Sequence, residues 1–147
     1  MTIFIIIIIV IVFIFLAFSN DKNKMLEKVH SNGGLQEKYK HLISFFVNRS
    51  GFKIYSINRS TIIMGKKEPA VIMELMLTQS FNKVLINWNS KSTVSAVNLR
   101  WEFPDIMDQQ SMIDKVMIDV VTKQQESINE KVAKSMRDFN DNSDDYF

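Results

Sequence analysis

The side chains that could act as acids, bases or ligands in this chain are few and scattered. Cysteine is absent, which excludes thiolate nucleophiles, thiolate metal sites and disulfides. His30 and His41 are the only histidines, and a Gly33-Gly34 break separates them. A zinc site needs close helical spacing or further soft ligands, so no metal is expected. His41 is instead expected on the polar side of a helix beside Lys40. Asp138, Asn140, Asn142 and Asp144 fall at the odd positions of a calcium loop. Ser143 stands where its sharp turn needs glycine, however, and its bidentate glutamate would fall beyond Phe147. Gly65-Lys66-Lys67 has neither the earlier glycine nor the Lys-Ser/Thr ending of a phosphate-binding loop.

For acid–base work the best-placed carboxylates are Glu74 and Glu102, both on expected strands. Burial of Glu74 between Met73 and Leu75 would raise its pKa. A lone strand carboxylate more often faces solvent or pairs with a cation such as Lys83, and no nucleophile–base set accompanies either residue. Neither a catalytic residue nor a cofactor is expected. Trp88 and Trp101 have the parity of the core residues around them and are expected under a helix; an aromatic ligand surface is the alternative. Asn48-Arg49-Ser50 and Asn58-Arg59-Ser60 are glycosylation sequons of the kind that chance supplies in a chain with twelve Asn and nineteen Ser/Thr.

The segment with the most constrained role precedes all of these. Residues 3–18 hold fifteen Ile, Val, Leu or Phe and one Ala. In hydrocarbon a single span must pair its own backbone, so the segment is expected to be a helix despite its β-branched residues. Sixteen residues rise about 24 Å, and Met1, Thr2 and Ser19 extend that to about 28 Å, against a core of roughly 30 Å. Residues 1–19 therefore read as a transmembrane anchor into a lipid bilayer. Ala17-Phe18-Ser19 offers a small-x-small cleavage site, but no cation precedes the run and its end is bulky, which disfavours a cleaved signal. Lys22, Lys24 and Lys28 follow the span, so the positive-inside rule puts the rest of the chain in the cytoplasm. An exported domain, anchored the other way or released after Ser19, is the rival reading.

Residues 20–34 are polar, end in Gly33-Gly34 and read as a tether. Leu35, Tyr39, Leu42, Ile43 and Phe46 then fall at helical spacing, which predicts a helix over 35–49 stopped by Gly51. From Phe52 the period moves towards two. Five strands are expected over 52–57, 60–65, 70–78, 82–89 and 94–103, joined by short turns that make neighbours antiparallel. Alternation of Val84, Ile86 and Trp88 with Lys83, Asn87 and Asn89 predicts one buried and one wetted face. The third strand, apolar on both sides, should be central. Pro104 ends the sheet, Asp105 or Asp108 caps a long helix, and Ile113, Val116, Met117, Val120 and Val121 form its expected buried stripe. The expected fold is α+β in two layers: a transmembrane helix, a first domain helix, a five-stranded antiparallel meander and a long C-terminal helix. The soluble domain is assigned to 35–137 and a disordered acidic tail to 138–147.

The formal charge of +2 conceals a division. Residues 21–101 carry thirteen Lys/Arg against five Asp/Glu, and 102–147 carry five against eleven. The halves would neutralise each other within one fold, or the basic half would face anionic lipid or a partner. Lys22, Lys24, Lys28, Lys66 and Lys67 are the candidates for that contact. The basic run has aromatic residues among it but no RNP-like, helix-turn-helix or zinc-finger pattern, so nucleic acid is not the expected partner. Chain length after the anchor suits one domain. The function expected is a single-pass, membrane-tethered, non-catalytic module that binds a protein or a membrane surface; an enzyme with an unrecognised carboxylate site is the third reading.

Overall fold

The computed structural model describes residues 33–143. The expected anchor, nearly all of the tether and the last four residues lie outside that range, as do Lys22, Lys24, Lys28 and His30.

The helix expected over 35–49 is assembled from pieces. α1 (Gly34–Lys38) and α2 (Lys40–Ser44) are followed by a π-helical turn, Phe45–Arg49. Tyr39, at φ −110° and ψ 28°, interrupts the first two. The reason lies far along the chain: the Gln109 side chain inserts at the break, donating to Lys38 O at 2.8 Å and accepting from Leu42 N at 3.0 Å. A side chain inserted into the backbone ladder is a recognised cause of such a kink. Gly51, at φ 70°, then lets Phe52 N return to Phe46 O and ends the helical run.

Five strands follow as an antiparallel meander in chain order: β1 (Lys53–Ile57), β2 (Thr61–Glu68), β3 (Val71–Ser80), β4 (Lys83–Ser92) and β5 (Ala96–Pro104). β3 is central, as its double-sided apolar pattern requires. Several strands run further than expected. Lys66, Lys67 and Glu68 pair with Met73, Ile72 and Val71, and Ser90, Lys91 and Ser92 pair with Val97, Ala96 and β3. Their polar side chains suggested turns, but ladder pairing extends through them.

Register places Met64, Leu75, Trp88 and Leu99 in one cross-strand row, and Ile62, Leu77, Ile86 and Trp101 in the next. This face is buried under the helices, with Phe46, Phe52 and Trp88 forming a ring cluster at centroid separations of 5.6–6.2 Å. Both tryptophans therefore belong to the core. On the opposite face Glu74, Asn89, Asn98 and Arg100 are exposed. Gly65 on that face admits no side chain, because a Cβ would meet Met73 O at 2.4 Å and the Tyr55 ring at 3.0 Å.

α3 (Gln109–Ser143) has 35 residues and is about 52 Å long, whereas a ten-residue strand spans about 33 Å. It therefore overhangs the sheet. Asp108 is its N-cap, accepting from Ser111 N at 2.9 Å. Met112, Ile113, Val116 and Val120 are buried, while Val121 is 59% exposed. Val121 sits about 100° around the helix from Val120, which turns it off the sheet. The helix continues into the segment assigned to a tail, so Asp138, Asn140 and Asn142 lie on helical backbone.

Candidate functional site

The strand order defines two ends of the sheet. At one lie Gly33, the β1–β2 turn, the β3–β4 turn and the β5–α3 loop; at the other lie the β2–β3 and β4–β5 turns. Gly33 and Gly34 line a cleft of about 510 Å³ with Leu35, Gln36, Ile57, Asn58 and Arg59, so the chain joins the domain beside the β1–β2 turn. This end is built around a buried polar group that sequence reading assigned to a turn.

Gln79 is 4% exposed and sits near the end of β3. Its Oε1 accepts from Tyr39 Oη at 2.5 Å and from Lys38 Nζ at 3.2 Å; its Nε2 donates to Phe81 O at 3.1 Å and Lys83 O at 3.3 Å. All of the amide's hydrogen-bonding directions toward protein are thus used, the condition under which a buried polar group rigidifies a fold. Lys38 also pairs with Asp105 at 2.8 Å. Asp105 N donates to Asn82 O and Gln79 N to Ser60 O, so α1, three connections and the sheet are joined at one place. Burial, followed by the Asp105 charge, pushes the Tyr39 hydroxyl well above the ordinary phenol range.

This bracing holds exposed apolar side chains at the tips. Ile106 is 92% exposed, Ile57 48% and Phe81 37%. Phe81 has φ 35°, a left-handed conformation usual for glycine at the first position of a two-residue hairpin turn. Arg59 has no ion-pair partner among the described residues.

Lys66 and Lys67 lie at the other end, separated from Arg59 by about 25 Å of extended strand. Lys66 pairs with Glu68 at 2.7 Å, and Lys67 lies 5.8 Å from the Tyr55 ring centroid. The fold therefore does not bring them to the point where the chain enters the domain beside the β1–β2 turn. Near them, Thr93, Val94, Ile128, Lys131, Val132, Ser135 and Met136 line an open apolar cleft of about 650 Å³ where α3 overhangs the β4–β5 turn.

Glu74 is exposed on the open sheet face. Lys83 pairs with Glu102 rather than with Glu74, and hydrogen bonding and charge from Lys83 hold the Glu102 carboxyl below its usual range. His41 is exposed and meets Gln110 Oε1 at 3.0 Å. Trp101 Nε1 donates to Asp119 Oδ2 at 2.8 Å, whereas Trp88 Nε1 and Ser90 Oγ are buried without a partner among the described residues. Among those residues no group of three or more His, Cys, Asp or Glu could hold a metal, and no helix is long and apolar enough to cross a membrane. The signal that could have identified Gln79 was its strand parity with Leu75 and Leu77.

The architecture is a two-layer α+β domain with a braced, apolar-tipped end where its N-terminal connection joins. Comparison with protein-family models, curated proteins and solved structures finds no match to this chain.

Proposed function

We propose that this chain is a single-pass membrane-tethered module, with residues 1–19 as the anchor and 20–34 as the tether. Its α+β domain lies on the cytoplasmic side, binds a protein or the membrane surface, and performs no chemistry. The observation that carries the reading is the uncharged run at 3–18. Its fifteen Ile, Val, Leu and Phe residues contribute at most about −5 to −9 kcal/mol to insertion, with no charge opposing it. Lys22, Lys24 and Lys28 follow the run within ten residues of it, and a cation near an anionic membrane surface favours it by about 1 kcal/mol. Lys66, paired with Glu68, and Lys67, over the Tyr55 ring, are cations that a protein partner would meet at the far end of the sheet. The position of Glu74 and Glu102 on an open face, rather than in a closed cleft, supports binding over catalysis.

The test is protease protection in sealed vesicles of known sidedness, with N-terminal sequencing of the membrane-bound chain. The proposal expects the domain to be digested only from the cytoplasmic side and the sequence to begin at Met1 or Thr2. Digestion from the outer side, or a chain beginning just after Ser19, favours the exported reading instead.

A further inference from the structure

We propose that the tether-proximal end of the domain rests on the bilayer, with Ile106 and Ile57 inserted at the headgroup–acyl boundary, Phe81 beside them and Arg59 at the phosphates. The inference builds on the anchored reading above and specifies which surface meets lipid.

Ile106 is 92% exposed in a loop held on both sides: Asp105 is tied to Lys38 and to Asn82 O, and Met107 N donates to Pro104 O. Its exposure is therefore a property of a braced structure. Ile57 ends β1 and Phe81 lies in the β3–β4 turn at the same end of the sheet, and Gln79 clamps the turn that carries Phe81. The backbone holds an aromatic residue at φ 35° at that tip, where glycine would relieve the conformation but remove the apolar side chain.

Chain length selects the occupant. Residues 19–32 separate the apolar run from Gly33, and a link of that length reaches at most about 50 Å even when fully extended. Gly33 lies beside Ile57 and Arg59, so this end is the part of the domain held nearest the lipid. The exposed apolar residues that line the cleft at the opposite end, Val94, Val132 and Met136, lie a full strand length farther away. A tethered surface needs only weak intrinsic affinity, because the tether keeps its local concentration high. Apolar tips beside a guanidinium with no ion-pair partner among the described residues suit an interface whose outer layer is phosphate and whose inner layer is hydrocarbon.

The absence of cysteine permits a clean test. Full-length I106C, I57C and V94C chains, each carrying an environment-sensitive fluorophore, are reconstituted into phosphatidylcholine–phosphatidylserine vesicles containing lipids nitroxide-labelled near the headgroup. The expected result is loss of fluorescence at 106 and 57 but not at 94, with Ile106→Asp restoring fluorescence in the I57C chain. Quenching at 94 as strong as at 106 would overturn the proposal. So would quenching at 57 that survives Ile106→Asp, since tether proximity alone would then account for it. Flotation separates the two readings: a chain that floats with vesicles without quenching at 106 removes only the docking, whereas a chain that does not float removes the anchor and the docking with it.

Discussion

Gln109 replaces, with its own side-chain amide, the backbone hydrogen bond that Leu42 would make to Lys38 in a continuous helix. Its Oε1 accepts from Leu42 N at 3.0 Å and its Nε2 donates to Lys38 O at 2.8 Å. The first residue of α3 thereby joins the start of the domain to its last element.

Gln109→Ala removes both bonds at a partly buried site. The expected loss is about 1–3 kcal/mol of unfolding free energy, the cost of leaving such groups unpaired. Urea denaturation of fragment 33–147 measures it. That fragment is expected to be soluble and folded, because the core cluster lies wholly within it; insolubility would mean that the domain requires lipid or a partner.

Gln79→Leu is expected to cost more, about 3 kcal/mol or above, because it leaves Tyr39 Oη and the Phe81 and Lys83 carbonyls without their partner in one step. Tyr39→Phe added to that variant removes one of the orphaned groups. The double variant should therefore lose less than the sum of the single losses. Simple additivity in a double-mutant cycle would contradict the network.

Stability should fall at both extremes of pH. Hydrogen bonds from Ser111, its backbone N–H first, hold Asp108 below the ordinary carboxylate range, and Lys115 followed by Trp101 does the same for Asp119. Depressed acids contribute stability above their unfolded pKa, near 4, and lose it as pH falls through the folded value. Asp108 is exposed and Asp119 only half-buried, so solvent screening keeps the effect small. Tyr39 has the opposite sign: its raised folded pKa gives stability fully present below about pH 10 and lost as pH rises from there through the folded value. In melting temperatures measured against pH, Tyr39→Phe should reduce the alkaline fall and leave the acid one.

The parts legible in the sequence are those fixed by repeated apolar spacing. Val84, Ile86 and Trp88 on one strand and Val97, Trp101 and Phe103 on the next mark the face that the structure buries. Strand ends were less legible at Lys66–Glu68 and Ser90–Ser92, since polar residues that favour turns also occupy the solvent side of a ladder. The helix break at Tyr39 depends on Gln109, seventy residues later, and no local pattern encodes that contact. Gln79 was obscured for a related reason. Its burial is tolerable only because Tyr39, Lys38 and two turn carbonyls converge on it, a tertiary fact rather than a property of its neighbours in sequence.

Alkaline carbonate extraction of membranes containing either the full chain or a chain lacking residues 1–19 tests the tethered account most directly. The account predicts that the full chain stays in the membrane pellet and the shortened chain moves quantitatively to the supernatant. Release of the full chain by carbonate, or retention of the shortened one, would contradict it.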